Sequence, residues 1–147
     1  YRTLLNVAVP AGMWQKAEEI ICDDKDREYL RKIRKDYKNL VRNIWNPFDK
    51  THEGILGCTT VNRLYITPIG DVLVCPYVHI KIGNIFKQSL KEIVDFGFSI
   101  KHFRNHSDLC LAGEDKTFIK NFMTKQGQTI FKPAEAKEIF PREDFIK

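Results

Sequence analysis

The stretch that most limits what this chain can fold into runs from Cys58 to Cys75. Residues Val61–Thr67 and Val72–Cys75 are two runs rich in β-branched and aromatic residues, separated by Pro68-Ile69-Gly70-Asp71. Proline presets the turn, and Gly70 takes the left-handed conformation that closes a bulged hairpin. Eleven residues separate Cys58 from Gly70, and four separate Gly70 from Cys75. A hairpin folds its two ends together, so the turn sets a register in which both thiols can face one site.

The chain has four cysteines, Cys22, Cys58, Cys75 and Cys110. A secreted disulfide framework is denser and shorter than this, and a signal-peptide layout is missing, so a reducing, cytoplasmic setting is expected. There a cysteine is a small buried hydrophobe, a metal ligand or a reactive thiol. Cys110 stands in a loop just before a helix expected to start at Asp115, and a helix N-terminus favours thiolate over thiol. Thiolates arriving from separate loops suit an iron–sulfur cluster or zinc. A zinc site built from Cys58, Cys75, His79 and Cys110 is chemically reasonable, although it lacks the closely spaced cysteine pair of most zinc knuckles. The plainest alternative is three unrelated buried thiols.

Around this motif the sequence reads as α+β. Thr3–Val9 suits a buried strand with an exit turn at Pro10-Ala11-Gly12. From Asp23 to Trp45 apolar residues recur at helical spacing (Tyr29, Leu30, Ile33, Tyr37, Leu40, Val41, Ile44, Trp45), with Asp23, Asp24 and Asp26 as caps and Asn46-Pro47 as the stop. Arg31, Arg34, Lys35, Lys38 and Arg42 fall opposite that stripe, as a solvated face would place them. The net charge of +5 permits an anionic partner, but nucleic acid is not the favoured one. Tyr65, Tyr77 and Trp45 could stack on a substrate, although core packing is the commoner use. Ser89-Leu90-Lys91-Glu92 is a capping box opening another helix. Phe118, Ile119, Phe122 and Met123 face inward on the last one, and residues beyond 126 read as a wrapping segment or linker. No apolar run approaches the roughly 20 residues that cross a bilayer.

The ordered set Cys58…Gly70…Cys75, then Ile82-Gly83-Asn84, Ser89-Leu90-Lys91-Glu92-Ile93 and Cys110, resembles the C-terminal SPASM/twitch region of radical S-adenosylmethionine enzymes. The resemblance covers roughly residues 54–124. It implies an auxiliary iron–sulfur cluster, of the 4Fe–4S type, held by Cys58, Cys75 and Cys110 and serving electron transfer or substrate anchoring. It also implies that residues 1–50 are the last strand–helix unit of a partial α/β barrel, residues 51–125 the cluster domain, and residues 126–147 a tail. The family's catalytic Cys-x3-Cys-x2-Cys motif is not in this sequence. The chain is therefore expected to be part of a larger enzyme, with S-adenosylmethionine bound by a core upstream in the same polypeptide. Position 113, three after Cys110, is glycine where full SPASM domains continue with a further cysteine, which implies one cluster rather than two. For a fourth ligand His79, Asp115 and Cys22 are candidates, with a three-cysteine cluster and an exchangeable iron position preferred. Gly70, Gly83 and Asn84 are expected to be structural turn residues.

Overall fold

A computed structural model of the protein describes residues 3–4, 8–11, 14, 17–42, 58, 60–105, 107, 109–123, 129 and 132–146. They fall into two compact units, one formed by Tyr1–Cys58 with Ser107–Lys116, the other by Thr59–His106 with Thr117–Lys147. The fold is α+β, as the sequence predicts.

In the first unit β1 (Thr3–Leu4) is followed by α1 (Asp24–Asp36) and β2 (Val41–Arg42), and the two strands pair in parallel with Thr3 opposite Val41. Asp23 caps α1 reciprocally: its carboxylate accepts the Asp26 N–H at 2.9 Å, and Asp26 accepts the Asp23 N–H at 3.0 Å. The helix is shorter than its apolar spacing suggests. It closes at Tyr37, whose N–H donates to Ile33 O, because β-branched Val41 is used in a parallel strand pair instead. The strand–helix unit read from sequence thus gains a second strand. Of the apolar stripe, Leu30 and Ile33 are half-buried, whereas Tyr29, Tyr37 and Leu40 are exposed. Arg31, Lys35 and Lys38 face solvent as expected. Ile44, Trp45 and Pro47 lie outside the described residues.

The second unit is built on a four-stranded mixed sheet. β3 (Tyr65–Ile66), β4 (Asp71–Leu73) and β5 (Ile80–Asn84) run antiparallel in that order, and β6 (Ala134–Glu135) adds to β5 in parallel. The hairpin between β3 and β4 closes as its sequence requires. The Gly70 N–H donates to Thr67 O at 2.9 Å, the Thr67 N–H donates to Asp71 O at 2.9 Å, and Gly70 has φ +81°. β5 is a strand the sequence reading missed. Its signal was the alternation Val78-His79-Ile80-Lys81-Ile82, in which the three aliphatic side chains are buried and the two polar ones half-buried. Gly83 accordingly lies in a strand and not in a turn. It is glycine because a Cβ there would come within 2.7 Å of Ile93 Cγ1.

Asn84 ends β5 and braces the hairpin from the far side. Its Nδ2 donates to Ile69 O at 3.0 Å and to Asp71 Oδ1 at 2.9 Å, while its Oδ1 accepts the Phe86 N–H at 2.9 Å. The helix α2 (Leu90–Ser99) starts with the predicted capping box, Ser89 with Glu92, and α3 (Lys101–Arg104) follows directly. A short α4 (Lys116–Phe118) runs into one π-turn at Ile119–Met123, and α5 (Ala136–Ile139) follows β6. The core of this unit is Val72, Leu73, Val74, Val78, Ile80, Ile93 and Ile100, all fully buried, extended by Phe103, Phe118 and Phe140. The segment read as a tail is thereby part of the sheet. It is also fixed by His102, whose Nε2 lies 2.8 Å from Asp144 Oδ2, and by Lys101, which pairs with the same carboxylate. Among the described residues no helix is long and apolar enough to cross a membrane.

Candidate metal centre

Backbone hydrogen bonds fix Cys58 and Cys110 at their own peptide groups. The Cys58 N–H donates to Ser107 O at 2.8 Å, and Ser107 Oγ donates in turn to Leu109 O at 2.9 Å, so Cys58 is bound to the segment that leads into Cys110. Both cysteines belong to the first unit. Three residues after Cys58 the chain reverses through Val61, which has φ 64° and is buried. A β-branched residue adopts that conformation only when its surroundings hold it there.

Cys110 is buried and opens a tight turn. Its carbonyl accepts the N–H groups of Gly113, Glu114 and Asp115, at 3.2, 2.8 and 3.0 Å. The helix expected to start at Asp115 begins one residue later, as α4 at Lys116, and this turn separates Cys110 from it. Asp115 is held here by its backbone, one position before α4.

Cys75, in the second unit, is half-buried at the exit of β4. Buried Val74 and Val78 anchor the loop on either side of it, and the Tyr77 N–H donates to Cys75 Sγ at 3.5 Å. A backbone donor aimed at sulfur stabilises negative charge there, which suits a thiolate. His79 has Nε2 3.2 Å from Pro76 O. A carbonyl can only accept, so Nε2 carries the proton and leaves Nδ1 as the nitrogen with a lone pair. Tyr65 and Tyr77 are exposed rather than in the core, and Trp45 lies outside the described residues.

The structure alters the standing of Cys22. Its separation in sequence set it apart from the motif, yet it shares the first unit with Cys58 and Cys110. Its carbonyl accepts from Arg27 Nη1 at 3.0 Å. Burial, reinforced by the negative charges of Asp26 and Glu114, pushes its thiol pKa up, so it is a poor source of thiolate. Glu114, which the sequence reading did not single out, has a side chain with no exposed surface. Burial pushes its carboxyl upward, opposed by the Cys110 N–H and by Arg27. Nothing in the residues alone marks a lone glutamate four positions past a cysteine as special.

Among the described residues no three His, Cys, Asp or Glu side chains are gathered as a preformed metal-binding set. The donor type suits one group: cysteine thiols, of which Cys75 receives a backbone N–H at sulfur, are soft ligands of the kind that iron–sulfur centres use. The comparison with known families agrees. Residues 58–114 match the model of an iron–sulfur cluster-binding domain. That family is SPASM, and this segment of the chain, which spans all three cysteines of the motif, is a SPASM domain. No curated protein and no solved structure matches the chain.

Proposed function

We propose that this chain carries an auxiliary iron–sulfur cluster, of the 4Fe–4S type, on Cys58, Cys75 and Cys110. The cluster serves a radical S-adenosylmethionine core in the same polypeptide. The observation that carries the reading is the SPASM match from Cys58 to Glu114, begun by one of the three cysteines and enclosing the other two. The backbone donor at Cys75 Sγ and the ties holding Cys58 to the Cys110 segment support it.

The fourth iron position is exchangeable in this proposal. Burial disfavours Cys22 as a thiolate, and His79 would have to coordinate through Nδ1. An iron with an open position can hold a substrate heteroatom, whereas a fully thiolate-ligated one is confined to passing electrons. Substrate anchoring is therefore the favoured role, with electron transfer the one that a closed cluster would leave. The core upstream would supply S-adenosylmethionine cleavage, and no residue of this chain is assigned to that step.

The test is anaerobic reconstitution with ferrous iron and sulfide. A brown product absorbing at about 400 nm, as Cys-ligated iron–sulfur centres do, and losing its iron when Cys75 is replaced by alanine, is the expected result. A colourless protein that retains stoichiometric zinc would replace this reading with a zinc-stabilised module. In that module the exposed Arg31 and Lys35 of α1, with Lys38 just after it, would face an anionic partner.

A further inference from the structure

Burying an ion pair seldom adds stability, because desolvation of both charges offsets their attraction. The first unit nevertheless buries one. Glu114 has no exposed side-chain surface, Arg27 is 12% exposed, and Glu114 Oε1 lies 3.5 Å from Arg27 Nη1. The arrangement is not even fully satisfied: Glu114 Oε1 is buried without a hydrogen-bond partner. Its other oxygen is committed, since Oε2 accepts the Cys110 N–H at 2.8 Å. Arg27 is committed as well, donating to Cys22 O at 3.0 Å and pairing with Asp24 at the start of α1. A continuous polar path thus runs from the Cys22 peptide through Arg27 and Glu114 to the Cys110 peptide.

We propose that Arg27 and Glu114 are positioning residues for the cluster, a clamp that holds the Cys110 turn against the start of α1 and fixes the direction of the Cys110 side chain. This rests on the reading of Cys110 as a cluster ligand. The geometry favours it over a purely stabilising role. A carboxylate that accepts a ligand's own backbone N–H fixes that peptide plane, and the plane sets where Cβ and sulfur point. The guanidinium, held by two other acceptors, places its charge 3.5 Å from Oε1 and so orients the carboxylate through the ion pair rather than through a hydrogen bond.

The test is anaerobic reconstitution of the full chain carrying Glu114→Ala, Glu114→Gln, Arg27→Met, Cys110→Ala, or Cys110→Ala with Glu114→Ala. Iron and sulfide per chain are measured, together with the electron paramagnetic resonance spectrum of the reduced cluster. Expected are an at least twofold loss of iron in Glu114→Ala and an altered spectrum for the cluster that remains. Substantial recovery is expected in Glu114→Gln, which keeps an oxygen for the Cys110 N–H. No further loss should appear when Glu114→Ala is added to Cys110→Ala. Wild-type loading and an unchanged spectrum in both Glu114→Ala and Arg27→Met would overturn the proposal, as would losses that simply add to that of Cys110→Ala. If Glu114→Ala does not fold, Arg27→Met and Glu114→Gln decide by the same readings. A wild-type chain that takes up no iron would instead refute the cluster reading itself, and with it the ligand role the clamp depends on.

Discussion

Replacing Asn84 tests how the hairpin is held. The side chain makes three hydrogen bonds, two from Nδ2 to Ile69 O and Asp71 Oδ1 and one at Oδ1 from the Phe86 N–H. Ile69 and Phe86 are exposed, so water replaces the asparagine at their backbone groups and each lost bond costs about 0.5 kcal/mol, the low end for a net hydrogen bond. Asp71 is buried, and its carboxylate keeps Lys81 Nζ at 3.4 Å, which limits the third loss to about 1 kcal/mol. Asn84→Ala should therefore destabilise the second unit by about 2 kcal/mol, roughly a 30-fold fall in its folded population relative to unfolded. Asn84→Asp should be worse at neutral pH, although it is closer in shape. It keeps the acceptor for Phe86 but turns a second carboxylate toward Asp71 where a donor stood 2.9 Å away. Urea titrations of the metal-free chain at pH 7, followed by circular dichroism, give both numbers. A loss below about 0.5 kcal/mol for Asn84→Ala, less than one net hydrogen bond, or an Asp variant as stable as the Ala variant at pH 7, would refute this account.

Three further outcomes follow from the same structure. Gly70→Ala should cost about 1–2 kcal/mol, the price of a left-handed φ for an L-residue, and adding Phe86→Ala should recover little of it, because the Phe86 ring near the new Cβ is exposed and can swing away. Substantial recovery in that double variant, seen in thermal melts, would show that steric contact and not φ dominates. Burial alone would raise the Asp144 pKa, but hydrogen bonds from Lys101 and His102 overcome it and hold the carboxyl below its ordinary range. Its stabilising contribution is then present above the unfolded value of about 3.9 and lost as pH falls through the lower folded value. The stability difference between wild type and Asp144→Asn should shrink in acid melts below pH ~4, and a difference that stays constant across that range would contradict the assignment. Cys22→Ala should load iron almost as wild type does while Cys75→Ala loses it; equal losses would make Cys22 the fourth ligand and favour electron transfer over substrate anchoring.

How legible each part was depended on how local its cause is. The hairpin around Gly70 and the capping box at Ser89 are dictated by residues within a few positions of one another, and both formed as read. The end of α1 was not legible, because Val41 continues the helical spacing and is diverted only by a strand partner at Thr3, 38 positions earlier. Gly83 was assigned to a turn since glycine usually marks one, whereas its reason is the Ile93 side chain of a helix not yet formed at that point in the sequence. Of the candidate site, the cysteines were plain from residue type and spacing. Arg27 and Glu114 were not, for their roles come from burial and from a pairing across 87 positions that no local pattern encodes.

The parallel pairing of β5 with β6 has a consequence for how this protein comes to be folded. Parallel neighbours cannot be joined by a tight turn, and here the connection from Asn84 to Ala134 passes through α2, α3 and α4. Contacts of such long sequence separation form late. Until residues 134–135 arrive, one side of β5 remains an unpaired edge carrying buried-type residues Ile80 and Ile82, a template onto which another extended chain can add. A polypeptide cut after residue 114 would contain the whole segment that defines the family and yet lack the strand that seals its sheet. Its predicted failure is self-association through that edge, while Cys58, Cys75 and Cys110 are all still present.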